Sequence, residues 1–246
     1  MKWVLIARED ASHLIDLDSL NSDFGTSHGI IRKQDLVQAG FGDEVKTHVG
    51  KKFRVVEPFF QDLFRKMKRG PQIITLKDAS FIAAMTGVKP GSKVLDAGAG
   101  SGLLTSYMAV LGAKVDSYEV REDFLKIAEN NVKLFGVEKN VNFVKADVYK
   151  KIGSGDYDAV TLDVPEPWKA LKNVEKALKH GGRLAAYIPT IKQVIRFWED
   201  LEKRKNLHFE KAVEILERGW KVTDKSVRPN TQMLGHTGFL VFARKY

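Results

Sequence analysis

The 246-residue chain contains no cysteine, which excludes disulfides, thiolate catalysis and cysteine-type zinc sites. Its six histidines (13, 28, 48, 180, 208 and 236) show no ligand spacing, so no metal site is expected. No apolar run reaches spanning length, and the apolar start from Met1 to Ala7 runs straight into Arg8, Glu9 and Asp10. That start is too short for a signal peptide or a membrane span, so no membrane association and a cytoplasmic location are expected. Internal repeats and low-complexity segments are also missing. What remains is a soluble globular composition, 43% hydrophobic and 29% charged, long enough for one large domain or two unequal ones.

The formal net charge is +9, and it is unevenly placed. Residues 1–66 hold ten Lys/Arg and ten Asp/Glu, so the whole excess lies in residues 67–246. Such an excess fits either a polyanionic partner, bound with counterion release, or a lysine-rich solvated surface. Residues 1–66 read as a small β domain. Val45, Thr47, Val49, Phe53 and Val55 alternate as in a half-buried hairpin whose tip lies near Gly50-Lys51-Lys52. Arg65 to Pro71, basic residues followed by Gly-Pro, form the expected boundary, either a phosphate contact or a plain linker. From Asp78, an expected N-cap, Phe81, Ile82 and Met85 recur at helical spacing until Gly87.

Beyond Pro90-Gly91 the pattern alternates between strand and helix. Strands are expected at Val94-Leu95, Lys114 to Val120, Val141 to Val144, Tyr157 to Val164 and Leu184 to Ile188. Helices are expected at Leu103 to Leu111, Glu122 to Phe135, Trp168 to Leu178 and Ile191 to about Arg204. Phe209 to Leu216 and Thr237 to Ala243 would close the sheet as an antiparallel hairpin. The expected class is α/β: a Rossmann-like parallel sheet covered on both faces, with ligands at the carboxyl ends of its strands.

The first of these strands runs into Asp96-Ala97-Gly98-Ala99-Gly100-Ser101-Gly102-Leu103. A glycine turn opening a helix lets a ligand approach the backbone and aims free N–H groups at it. As a dinucleotide fingerprint it fails, because Leu103 stands where glycine or alanine is required. As Asp-x-Gly-x-Gly-x-Gly it resembles the first motif of class I S-adenosylmethionine-dependent methyltransferases.

Three further carboxylates fall at strand ends. Glu119, 23 residues after Asp96, is placed either to accept from a ribose diol or as a surface glutamate before a helix. Phe124, one helix turn later, either covers an adenosine or belongs to the core. Asp147 either accepts the exocyclic amine of a cofactor adenine or caps a turn. Asp163 is followed by Val164-Pro165-Glu166-Pro167-Trp168. The two prolines stiffen the chain, so the carboxylate is presented at the strand tip or caps the next helix. His236 either faces the pocket or sits in a turn before the last strand.

Several segments together resemble the tRNA adenine-N1 methyltransferases that modify position 58 of the T loop. These are Gly25 to Ile31, Gly42 to His48, Lys68 to Ile74 with Lys77-Asp78-Ala79, Ser117 to Arg121, Leu162 to Trp168 and Gly235 to Phe239. The resemblance spans nearly the whole chain. It implies S-adenosylmethionine as methyl donor, with Gly98, Gly100, Ser101, Gly102 and Leu103 around its methionine and ribose. It further implies Glu119 on the ribose hydroxyls, Asp147 on the adenine, Asp163 as the catalytic aspartate and Tyr187 lining the target-base pocket. A homotetramer acting on tRNA is implied as well. Thr75 stands where the family often carries an aromatic residue, which removes the grounds for an aromatic wall on that side. Archaeal members that also modify position 57 tend to carry a different fourth-strand motif, so position 58 alone is expected. Two other classes share parts of this pattern. A class I methyltransferase for another nucleic acid, a protein or a small molecule would share Asp96 to Glu119, and a non-catalytic tRNA-binding subunit could keep the fold.

Overall fold

The computed structural model describes residues 2–68, 70, 74–153 and 155–246. The chain divides into two compact units, Met1–Met67 with Lys133–Gly136, and Lys68–Val132 with Val137–Tyr246. Arg69 and Pro71 to Ile73, part of the expected junction, lie outside the described residues.

The first unit contains β1 (Trp3–Arg8), β2 (Ala11–Asp16), β3 (Phe24–Thr26), β4 (Gly29–Ile31), α1 (Lys33–Gln38), β5 (Glu44–Lys46), β6 (Lys52–Val56) and α2 (Phe60–Phe64). Four of its strands form an antiparallel sheet in the order β2-β1-β6-β5. In β6 the alternation has a direct cause: Phe53 and Val55 are buried while Lys52 and Arg54 are exposed. The buried pair joins Val4, Ile6, Ile31 and Leu36 in one core.

The second unit opens with α3 (Leu76–Thr86), stopped by Gly87 in the left-handed conformation. Asp78 is not its N-cap; Thr75 holds that position. Asp78 is instead fully buried in the first turn, where its carboxylate accepts from the Thr75 hydroxyl at 2.8 Å and the Lys77 ammonium at 2.7 Å. The chain continues through β7 (Lys93–Ala97), α4 (Leu103–Val110), β8 (Lys114–Glu119), α5 (Glu122–Leu134), β9 (Val141–Lys145), β10 (Tyr157–Leu162) and α6 (Leu171–Ala177). It ends with β11 (Leu178–Ile188), α7 (Ile191–Leu201), β12 (Leu207–Val213), β13 (Trp220–Thr223), β14 (Ser226–Pro229) and β15 (Phe239–Lys245).

Seven strands form the central sheet in the order β12-β15-β11-β10-β7-β8-β9. Neighbours from β9 to β11 run parallel, and β15 runs antiparallel to both β11 and β12. The helices cover it with amphipathic faces: Leu125, Ala128 and Val132 are buried on α5, and Val194, Phe197 and Leu201 on α7. The first strand in sequence, β7, has β8 on one side and β10 on the other. Connections therefore leave it in opposite directions, and a crevice opens at the carboxyl ends of these strands.

Local detail departs from the sequence pattern in three places. The helix expected from Trp168 begins as a 3-10 turn, Pro167–Ala170, and is α-helical only over Leu171–Ala177. The following strand starts at Leu178, not Leu184, so His180-Gly181-Gly182 lies inside a strand. Gly181, at φ 80°, permits the register shift that Tyr157 and Ala159 show against this strand. Finally, the connection between the last two sheet strands carries the hairpin β13–β14, which the sequence pattern did not reveal.

Candidate active site

A cavity of about 410 Å³ opens at the switch point, within the range of small-molecule sites. Gly98, Gly100, Glu119, Phe124, Asp147 and Asp163 all lie in its wall, together with Val120, Arg121, Val148, Tyr149, Val164 and Pro165. Residues far apart in the chain thus meet because four parallel strands end side by side.

Backbone bonds shape the glycine turn. The Ala99 N–H donates to the Tyr118 carbonyl at 2.9 Å, and the Gly98 N–H donates to the Asp163 carbonyl at 3.2 Å. A Cβ on Gly100 would meet only the Gly98 carbonyl, at 4.0 Å, so that face of the turn is open space. Gly102 has another task. At φ 76° it would put a Cβ 3.0 Å from the Ala128 backbone, so its missing side chain lets the turn pack on α5. Among the described residues lining the cavity, Ser101, Gly102 and Leu103 do not appear. All three are buried beneath it, since the turn folds back to start α4.

Asn131 on α5 fastens this turn. Its side-chain amide donates to the carbonyls of Ser101 at 2.8 Å and Lys68 at 2.9 Å, while its oxygen accepts from the Lys68 N–H at 3.0 Å. Nothing in the sequence pattern marks Asn131, because its partners lie 30 and 63 residues away.

The Glu119 carboxylate bridges the glycine turn and the start of the segment after β8. One oxygen accepts from the N–H groups of Val120 at 2.8 Å and Arg121 at 3.0 Å, the other from Gly100 at 3.2 Å. Phe124 is half-buried, with the Arg121 guanidinium stacked 4.1 Å from its ring centroid. Asp147 also lines the cavity and accepts from the Tyr149 N–H at 2.9 Å, so it caps a turn within the cavity wall.

Asp163 sits one residue past β10, in the cavity wall, surrounded by protein yet with its surface open to solvent through the cavity. Burial, then the neighbouring carboxylates Asp96 and Glu119, push its pKa up to about 7. It does not stand over a helix N-terminus as a cap; the 3-10 turn begins at Pro167 with Glu166 before it. The segment after it is anchored as well as stiff: the Tyr149 hydroxyl accepts from the Glu166 N–H at 3.0 Å, and the Gln193 amide donates to the Pro165 carbonyl at 3.3 Å. Beneath lies Asp96, 1% exposed, its two oxygens accepting from the Thr105 and Thr161 hydroxyls, each at 2.6 Å. Burial raises its pKa to about 6 against the pull of those hydroxyls.

Tyr187 lies outside the cavity wall, on β11. Its hydroxyl donates to the Thr237 carbonyl, and burial, with Asp78 and Asp163 nearby, pushes its pKa up to about 12. The Thr237 hydroxyl accepts in turn from Lys77 at 2.8 Å, 160 residues away. Lys77, Thr237 and Tyr187, all half-buried, form one polar network with the fully buried Asp78, and of the four only Tyr187 is a site residue that the family resemblance implied. His236 is not part of the cavity wall: its ring nitrogens face Glu214 and, at 2.9 Å, the Pro189 carbonyl.

Three carboxylates, Glu119, Asp147 and Asp163, line one cavity against a single lining cation, Arg121, so within a protein of net charge +9 this site favours a cationic ligand. The open glycine turn, the apolar wall of Phe124, Val148 and Pro165, and acceptors at Glu119 and Asp147 fit a nucleoside bearing a cationic sulfonium. Among the described residues no group of three or more His, Asp or Glu side chains could hold a metal ion, and no helix is long and apolar enough to cross a membrane.

The sequence pattern of the family described as tRNA methyltransferase complex GCD14 subunit matches residues 65–228. The chain belongs to this family. It is 36% identical to the tRNA (adenine(57)-N(1)/adenine(58)-N(1))-methyltransferase TrmI of Methanocaldococcus jannaschii, across 90% of this chain and 87% of that protein. The fold superposes on a SAM-dependent O-methyltransferase of Thermotoga maritima with a TM-score of 0.87 at 36% identity, covering 99% of this chain and 92% of that one. It superposes on the tRNA (m1A58) methyltransferase TrmI of Aquifex aeolicus with a TM-score of 0.82 at 30% identity, covering 100% and 97%. The sheet is therefore that of the class I methyltransferases, with the antiparallel edge expected from sequence. GCD14-family membership adds what the fold alone cannot, because one fold hosts many acceptors.

Proposed function

We propose that this chain transfers a methyl group from S-adenosylmethionine to N1 of adenine 58 in the T loop of tRNA. The observation that carries the reading is Asp163, held by a proline-stiffened, hydrogen-bonded segment in the wall of the cavity that Glu119 and the glycine turn enclose. In this reading Glu119 takes the ribose hydroxyls, Asp147 the cofactor adenine and Phe124 its apolar face, while Gly98 and Gly100 leave room for the methionine part. Ser101, Gly102 and Leu103 contribute from below by fixing the turn. When bound, the cofactor supplies an electrophilic methyl group on a sulfonium centre.

Adenine N1 is unprotonated near neutral pH, so no base is needed to create the nucleophile. Asp163 accepts a hydrogen bond from the 6-amino group, orients the base and balances the positive charge that its ring acquires. Tyr187 and Thr237 border the acceptor side. The target base must leave its stack, at a cost of a few kcal/mol, and phosphate contacts to the basic surface offset it. The enzyme is taken as a cytoplasmic homotetramer, and the exposed apolar side chains Trp220, Val222 and Val227 on β13–β14 offer a surface for assembly. Modification of position 58 alone is the reading for this chain, although the Methanocaldococcus relative is named for both 57 and 58.

The test incubates the protein with an unmodified tRNA transcript and labelled S-adenosylmethionine, then maps the methylated nucleoside by mass spectrometry. Label at N1 of adenine 58 supports the reading. Label on an oxygen, on another macromolecule or on a small molecule, or no label at all, overturns it.

A further inference from the structure

A second concave surface lies next to the candidate active site, and its chemistry is different. It is a groove of about 460 Å³ lined by Lys150, Lys151, Ile152, Gly153, Asn173, Lys176 and Ala177, with no carboxylate in its wall. Two elements build it: the segment after Asp147 and helix α6. They are held together by Asn173, whose amide donates to the carbonyls of Val148 and Tyr149, both at 3.0 Å.

The lysines around it fall into two groups. Lys145, Lys169 and Lys179 are paired with Glu122, Glu166 and Asp158. Lys150, Lys151 and Lys176, the three in the groove, have no ion pair among the described residues, and neither has the exposed Lys172 one helical turn before Lys176. The one acid on α6, Glu175, is committed elsewhere, accepting from the Asn206 backbone at 2.9 Å and its side chain at 3.1 Å. Three exposed, unneutralised ammonium groups lining one groove repel one another and favour an anion between them. The groove is too open and too cationic for an apolar ligand. A chain of singly charged groups along a backbone matches it better than one compact anion, because the lysines come from two separate elements.

The placement adds to this. Asp147, Val148 and Tyr149 line the cavity, and Lys150 to Gly153 line the groove. The N–H groups of Lys150 and Lys151 donate to the Asp147 carbonyl at 3.0 and 3.2 Å, so one turn carries both walls.

We propose that this groove seats the phosphate backbone of the RNA substrate, flanking the site where the target base reacts. The proposal rests on the reading that the acceptor is tRNA. Wild-type methylation of the transcript tests that reading first, so failure of the one is distinguishable from failure of the other.

The test compares wild type with K150Q/K151Q/K176Q for binding of the unmodified tRNA transcript across a salt series. Every lysine–phosphate pair removed should lower the slope of log Kd against log salt by roughly 0.7–0.9, so the triple variant should fall by about 2 units or more, with Kd raised about a hundredfold at ~0.1 M salt. Cofactor affinity, melting temperature and kcat at saturating tRNA should stay at wild-type values. The single variants K151Q and K176Q, one on each element, should each lower the slope by about one unit. K203Q, on a lysine paired with Asp200, should leave it unchanged. Wild-type transcript affinity and slope in the triple variant overturn the proposal. So does an equal fall in K203Q, which would mean net charge alone, or a parallel fall in cofactor affinity, which would mean a disturbed Asp147 turn.

Discussion

Replacing Asn131 with alanine tests whether the glycine turn is held from α5. The residue is 3% exposed and makes three hydrogen bonds to backbone groups. Removing it leaves the carbonyl of buried Ser101 without that donor, a cost of about 1–3 kcal/mol. The two bonds to Lys68, an exposed residue, are replaced by water and add less. A total of about 2–3 kcal/mol corresponds to a drop in Tm of roughly 4–12 °C for a protein of this size. The functional consequence is separate from the stability loss. Freed at Ser101, the turn relaxes and its open face at Gly100 changes shape, so cofactor affinity should fall about tenfold, or ~1.4 kcal/mol. Asn131→Asp sharpens the result: its carboxylate would face the carbonyls of Ser101 and Lys68 with no proton to offer, so it should be worse than alanine in both measures. The assays are differential scanning calorimetry for Tm and titration calorimetry with S-adenosylmethionine for Kd. Wild-type affinity in a variant with lowered Tm would refute the reasoning, because it would mean that the Ala99–Tyr118 and Gly98–Asp163 backbone bonds hold the turn unaided.

Glu119→Ala should weaken cofactor binding without unfolding the sheet, and wild-type affinity by calorimetry would contradict its role. Asp163→Ala should keep cofactor binding and lose most turnover. Because the Asp163 pKa is raised to about 7, its ionised form grows as pH rises through that value. Wild-type kcat/KM for the cofactor should climb from about pH 6 to about pH 8, kcat should climb at lower pH because a bound cation favours the carboxylate, and Asp163→Asn should show neither rise. A flat wild-type profile between about pH 5.5 and 8.5 would remove Asp163 from this role. For His236, the Glu214 carboxylate and the Pro189 carbonyl favour the doubly protonated ring and raise its pKa above 6.5. Its contribution to stability is full below 6.5 and is lost as pH rises through the raised value. The Tm difference between wild type and His236→Gln should therefore be widest in acid and narrow above neutrality; a constant difference would count against it.

Much of the second unit was legible in the chain because its periodicity is strong and its glycines fall at ends. Gly87, Gly112 and Gly136 all stand just past helices at positive φ. Where the pattern misled, tertiary context overrode it. Asp78 has the residue type of an N-cap, yet Lys77 and Thr75 give it partners that let it be buried. His180-Gly181-Gly182 has the composition of a helix stop, but Leu178 before it pairs with Tyr157 and Arg183 after it with Ala159, so it is carried inside a strand at the register shift. The hairpin β13–β14 was hidden because Lys221, Asp224 and Lys225 give its sequence the look of a polar loop, and its burial pattern is exposed throughout β13.

Local sequence was enough to set the chemistry class. Spacing between Asp96, the glycines, Glu119 and Asp163 follows from the lengths of strand and helix, and those lengths follow from local periodicity. What each polar group touches was decided by the folded sheet. The fold made Asp96 a buried acceptor for Thr105 and Thr161, placed Ser101, Gly102 and Leu103 under the cavity instead of in its wall, and joined Lys77 to Thr237 and Asn131 to Ser101. The difference is one of range. Whether a side chain points inward is a property of its own helix or strand, whereas its burial, its partners and hence its pKa depend on groups that only the folded sheet brings within a few ångströms.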